Sequence, residues 1–272
     1  VIAMADRATS SAAIVFLHGT GGHPAQWNRI CEAFGGSRRM IRQDLPSHRC
    51  LGGSAARMTA AEEAQALVRA WGNLGAPVHL VGHSYGGALA LRIALQFPAR
   101  VQSLTLIEPA AFHFLRDGSS LERSMFADIA QLEARIRQAV DAGDPASGVA
   151  QFLDFWSGPQ SWDRLPGCRR ALLAGQADLI LGNFAAIFGE SGPLASCSSI
   201  ACPVLGVIGD QSPCLVQHLA RLIVGQVDGG QVIQIGGAGH MSPLTHPAVI
   251  AAALRHHVAT AERQRRRMTR AA

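Results

Sequence analysis

The chain of 272 residues has no uninterrupted apolar run of the roughly 18 residues that a membrane-spanning helix needs. Its opening residues, Val1 to Ala13, lack the charged start and apolar stretch of a secretory leader. A soluble, cytoplasmic protein with no membrane partner is the expectation. Metal-binding patterns are missing too. Cys31, Cys50, Cys168, Cys197, Cys202 and Cys214 are scattered, without a Cys-x-x-Cys pair or the Cys/His spacing of a tetrahedral zinc site. Buried free thiols, no metal and no disulfide framework are expected. A strongly basic body is also lacking. Of the formal charge of +5, a net +4 lies in residues 261–272, where Arg263, Arg265, Arg266, Arg267 and Arg270 face Glu262 alone. That removes the argument for a nucleic-acid partner and reads as a disordered, solvated basic tail. There is no internal repeat.

What is present is apolar residue in quantity, 48% of the chain, enough to fill one full-sized core. It is distributed as short Val/Ile/Leu-rich runs alternating with helical periodicity, the pattern of a parallel sheet covered on both faces. The strand candidates are Ala13 to Leu17, Met40 to Asp44, Val78 to Val81, Val101 to Ile107, Val204 to Ile208 and Gln231 to Ile235. Val1 to Met4 could add a short strand. Thr59 to Trp71 reads as a helix that Thr59 and Glu62 start with a capping box. Tyr85 to Phe97 reads as a second, stopped by Pro98. Between Pro109 and Ser199 the alternation breaks into helical patterns alone. Leu121, Met125, Ile129, Leu132 and Ile136 make the apolar stripe of a helix ending near Gly143. The expected fold is therefore α/β, a mostly parallel central sheet with helices on both faces and an inserted helical cap. Residues 1–109 and 199–260 form its core, 110–198 the cap and 261–272 the tail.

The chemistry is concentrated at strand ends. Val78-His79-Leu80-Val81 runs into Gly82-His83-Ser84-Tyr85-Gly86-Gly87 and an Ala-rich helix, giving a G-x-S-x-G sequence its strand, turn and helix setting. Such a cramped turn exposes the Ser84 hydroxyl beside a helix N-terminus, whose amides favour developing negative charge. A serine hydroxyl needs a base. Of eleven histidines, His240 is preferred, because Gly237 and Gly239 make a pliant loop after the last strand. His18, His83, His246, His256 and His257 read as structural, although His83 adjoins Ser84.

Three segments, Gly82-His83-Ser84-Tyr85-Gly86, His18-Gly19-Thr20-Gly21-Gly22 and Gly237-Ala238-Gly239-His240, follow their strands in an order and spacing that resemble the α/β-hydrolase family from about Ala13 to His257. The resemblance implies a Ser84–His240 pair with the amides of Tyr85 and Thr20 as the oxyanion hole. The family's usual acid position, in the loop Gly209-Asp210-Gln211-Ser212, holds Ser212 here. Glu108, ending the apolar strand Val101 to Ile107, resembles the relocated acid of some relatives, and a buried glutamate needs such a partner. Glu108 is taken as the acid, with Asp210 in reserve. Gly19, His83, Phe112 and Trp156 are candidate substrate contacts, the last two from an aromatic-rich cap that could enclose an apolar pocket. Asp44-Leu45-Pro46-Ser47-His48-Arg49 stands where the family has a Gly-rich loop. For His48 and Arg49 solvent exposure is the default and substrate contact the alternative.

The function implied is a serine hydrolase of the carboxylester type, cleaving an ester or thioester of a small, largely apolar substrate without a cofactor, as a monomer or homodimer. Two alternatives stay open: a carbon–carbon bond hydrolase acting on ring-cleavage products, and a non-catalytic small-molecule receptor on the same fold.

Overall fold

A computed structural model describes residues 11–48, 58–74 and 77–271. The expected contributions of Val1 to Met4 and of Arg49 lie outside these residues. Six strands form one parallel sheet in the order β2-β1-β3-β4-β5-β6. They are β1 (Ile14–Leu17), β2 (Met40–Gln43), β3 (Val78–His83), β4 (Val101–Ile107), β5 (Val204–Gly209) and β6 (Gln231–Ile235). Every neighbouring pair runs parallel. Strands β1, β3, β4 and β5 are buried almost throughout, whereas β2 and β6, with one neighbour each, are partly exposed. The runs of Val, Ile and Leu therefore mark strands covered on both faces.

Helices α1 (Asn28–Phe34), α2 (Ala60–Ala70) and α3 (Tyr85–Gln96) follow the first strands. After β4 come α4 (Ser120–Asp141), α5 (Pro145–Ser157), α6 (Gly167–Ala174) and α7 (Ala177–Phe188). The chain then closes with α8 (Cys214–Gly225), α9 (Ser242–Thr245) and α10 (Pro247–Ala271). One face of the sheet packs Ile14, Phe16, Val81 and Val207 against Trp27, Ile30 of α1 and Ile250, Leu254 and Val258 of α10. The opposite face receives α2, α3 and α8, and α4, α5 and α7 add buried residues to the same core cluster. Local chemistry starts the helices: Thr59 with Glu62 and Ser119 with Glu122 form capping boxes on α2 and α4, and Asp144 caps α5 ahead of Pro145.

Two expectations fail. Residues 261–271 are not a disordered tail but continue α10. Ala261 is buried, Glu262 pairs with Arg38 at 2.8 Å, and Arg265 donates to Gln102 Oε1 at 2.7 Å. The one acid in the segment faces the body of the protein, which a charge count does not register. Of the described cysteines, all free, only Cys197 is buried; Cys31 and Cys202 are intermediate, Cys168 and Cys214 exposed.

Candidate active site

Ser84 sits between β3 and α3 at φ 53° and ψ −118°, a left-handed conformation that costs a non-glycine residue energy. Hydrogen bonds hold it there. Its amide donates to Ile107 O, and its carbonyl accepts from the amides of Ala88 and Ala110, each at 3.0 Å. The flanking glycines are a steric requirement: a Cβ on Gly82 would lie 2.3 Å from Gly86 O, and one on Gly86 would lie 2.4 Å from both Leu17 O and His18 O. Strand, turn and helix can approach this closely only without side chains.

Glu108, the residue after β4, is fully buried and also adopts a positive φ, 43°. Its Oε2 lies 2.6 Å from His240 Nδ1. Its Oε1 accepts from the Gly209 amide at 2.7 Å and the Ser212 hydroxyl at 2.5 Å. Three donors thus converge on this carboxylate, the condition under which a buried charge is tolerated. Asp210 points elsewhere and accepts from the Gly237 amide at 2.8 Å. The loop after β5 supplies donors to Glu108, and close contact between the two loops is enforced at Gly209, where a Cβ would meet Ala238 O at 2.1 Å.

Gly19, Thr20, Ser84, His240 and Trp156 line one cavity of about 160 Å³, whose apolar wall comes from α5 and α7. A second recess, of only about 10 Å³, also borders Ser84 and is bounded by Thr20, Phe112, Trp156 and Phe184. Trp156 also stacks on the His240 imidazole, centroids 4.4 Å apart and planes 28° apart. A larger cavity, about 370 Å³ between α3 and α7, holds neither Ser84 nor His240.

His83 borders the 160 Å³ cavity, but its ring nitrogens are engaged by protein, Nε2 with His240 O at 2.9 Å and Nδ1 with Gln26 Nε2 at 3.3 Å. Burial, reinforced by the neighbouring His240, holds its pKa well below the usual imidazole value. In the loop after β1, Gly21 N donates to His48 Nε2 at 3.1 Å and Gly22 N to Gly19 O at 3.0 Å. Among the described residues no such bond occupies the amide of Thr20. Tyr85 is buried, and its hydroxyl donates to Glu63 Oε2 at 2.6 Å.

Three features of this site were not read from the sequence. His48, expected to face solvent, is 7% exposed, and burial together with His18 pushes its pKa down to about 3. Glu63 is fully buried, but in sequence it is one of two adjacent glutamates in the first turn of α2. Trp156 gives no sign in sequence that it will lie on His240 rather than in the general aromatic packing. No group of three or more His, Cys, Asp or Glu side chains suited to a metal occurs among the described residues, nor is any single described helix long and apolar enough to cross a membrane.

The profile of the Alpha/beta hydrolase family matches residues 14–253. Among curated proteins, the chain is 34% identical over 143 residues to the dihydrolipoyllysine-residue acetyltransferase component of an acetoin cleaving system from Pseudomonas putida, covering 52% of this chain and 38% of that protein. It is 33% identical over 95 residues to a pimeloyl-acyl-carrier-protein methyl ester esterase from Nitrosomonas europaea, 35% of this chain and 36% of that one. These matches span little more than a third of each relative's length. A solved hydrolase from Pseudomonas aeruginosa superposes with a TM-score of 0.73 at 20% identity, over 93% of this chain and 92% of the other.

Proposed function

The chain belongs to the alpha/beta hydrolase family, and from that premise we propose that it hydrolyses a small, largely apolar ester or thioester through an acyl-enzyme on Ser84. The observation that carries this reading is the bond between His240 Nδ1 and the buried Glu108 carboxylate, in a site where His240 shares a cavity wall with a strained Ser84. Glu108 accepts the hydrogen bond from Nδ1–H, which leaves Nε2 as the lone-pair nitrogen able to take a proton. Ser84 Oγ then attacks the substrate carbonyl carbon and passes its proton to His240. The carbonyl oxygen becomes an oxyanion held by the amides of Thr20 and Tyr85. Collapse expels the leaving group with the proton from His240, and water, activated by the same imidazole, releases the acid. No cofactor enters these steps.

The cavity supports the substrate class. Its volume, about 160 Å³ with an apolar wall, suits a small group, and the second recess at Ser84, about 10 Å³, adds almost no room. Similarity to an esterase over part of the chain agrees. The helices between β4 and β5 act in this reading as a cap over the serine. The test is a panel of p-nitrophenyl esters of rising acyl length run beside a dienoic ring-cleavage product. Turnover of the short esters, with rate falling as the acyl chain grows, is expected. Cleavage of the carbon–carbon substrate alone would move the assignment to that chemistry. A folded protein inert to the whole panel would favour a receptor.

A further inference from the structure

A chain of hydrogen bonds starts at Glu63, fully buried on α2, and ends at the Gly21 amide on one arm and the Tyr85 hydroxyl on the other. Its Oε2 accepts from the Tyr85 hydroxyl at 2.6 Å. Its Oε1 accepts from Ser47 twice, from the amide at 3.0 Å and the hydroxyl at 2.8 Å. Ser47 Oγ is 3.0 Å from His48 Nδ1, and His48 Nε2 accepts from the Gly21 amide at 3.1 Å.

The proton positions along this chain follow from the contacts. An amide can only donate, so His48 Nε2 is the bare nitrogen and Nδ1 carries the ring proton. That proton goes to Ser47 Oγ, whose own proton goes to Glu63. The arrangement needs a neutral His48, and its burial, with His18 4.7 Å away centroid to centroid, keeps it neutral. Gly21 holds φ 65°, and its amide is turned to His48 and away from the cavity. The preceding amide, that of Thr20, has no such acceptor among the described residues, and Thr20 lines the cavity. On the other arm the bond to Glu63 fixes the side chain of Tyr85, whose own amide is the second donor. The glycines of the usual family loop are absent here, and Ser47 and Arg49 stand in their place, on either side of His48.

We propose that Glu63 is a positioning residue that sets both oxyanion donors at once, Thr20 through Ser47, His48 and Gly21, and Tyr85 through its hydroxyl. The inference rests on the acyl-transfer reading of Ser84. A carboxylate with three donors has no neutral substitute of the same shape: Glu63→Gln presents an amide N–H₂ to at least one of them. Interactions made mainly in the transition state lower kcat when lost and leave KM alone.

The test measures kcat, KM and pH–rate profiles with p-nitrophenyl acetate, together with the affinity for a small aliphatic trifluoromethyl ketone, whose serine adduct places an oxyanion in the hole. For Glu63→Gln, kcat is expected to fall about tenfold or more, with KM within about twofold and ketone affinity reduced by the same factor as kcat. Ser47→Ala and Tyr85→Phe, each cutting one arm, should lose part of that effect. The pH–rate midpoint should not move in any variant, because the His240–Glu108 pair is untouched. A folded Glu63→Gln that keeps ketone affinity within about twofold of the wild type overturns the proposal, whatever happens to its melting temperature. If that variant does not fold, the single-arm variants decide: folded Ser47→Ala and Tyr85→Phe with unaltered ketone affinity overturn it, and reduced affinity in both supports it. A wild-type protein that neither hydrolyses the ester nor binds the ketone would instead sink the acyl-transfer reading, and this inference with it.

Discussion

The two halves of the site are built on different physics. The half at the strand ends is held by short, directional bonds and backbone constraint: Ser84 and Glu108 at positive φ, a carboxylate with three donors, and glycines that no side chain could replace. The half contributed by α5 and α7 is held by apolar contact, with Trp156 packed among Phe112, Phe152, Phe155 and His240. Directional bonds fix where atoms lie to a fraction of an ångström, whereas apolar packing fixes volume and lets shape vary. Chemistry should therefore depend on the first half and selectivity on the second.

Substitution of Glu108 should expose that dependence most strongly. In the proposed mechanism Glu108→Gln removes the acceptor that sets the tautomer of His240, and kcat for p-nitrophenyl acetate should fall roughly a thousandfold or more. An unchanged kcat would contradict the assignment.

Acid should weaken the strand-end half next. His48, pushed down to about 3, and His83, held well below its ordinary value, are buried as neutral rings, while in the unfolded chain each titrates near pH 6.5. Below that pH the unfolded state binds more protons, so stability is complete above about pH 6.5 and declines as pH falls. Each ring contributes up to about 1.4 kcal/mol per pH unit. Urea midpoints measured at pH 7.5, 6.5 and 5.5 should be level between the first two and drop at the third. A midpoint that rises on acidification would show that these rings are paired and charged.

A smaller effect is expected from the cover. Trp156→Ala should lower kcat/KM for the acetate by about tenfold and shift preference toward longer acyl chains, since Trp156 borders both the cavity and the small recess at Ser84. An identical chain-length profile would show that packing does not set selectivity. The smallest effect belongs to Asp210→Asn. Its carboxylate serves the Gly237 amide, and kcat should stay within about threefold.

The same division explains what could be read from the sequence. Backbone constraint writes itself into residue identity: Gly82 and Gly86 are glycines because a Cβ would collide at 2.3 and 2.4 Å, so the turn around Ser84 is legible without coordinates. Glu108 is legible because an acid ending an apolar strand demands a partner. The six strands were legible from buried Val, Ile and Leu runs, two with identical ends and four with one end differing by one or two residues. Glu63 was not, because its neighbour Glu62 gives the same local signal and only the folded loop brings Ser47 and Tyr85 to it. Trp156 was legible as a candidate substrate contact, but not as the ring that lies on His240. At the end of α10 the solvent exposure of Arg263 to Arg270 was legible but the helix was not, because the contacts of Glu262 and Arg265 are made across the fold.

The most direct test of the central claim, that acyl transfer runs through Ser84, is intact-mass analysis of the protein quenched in acid during turnover of a p-nitrophenyl ester, followed by peptide mapping. The expected result is a single acyl adduct on Ser84, absent from a folded Ser84→Ala variant that no longer turns over the ester. Undiminished hydrolysis by Ser84→Ala, or an adduct on another residue, would contradict it.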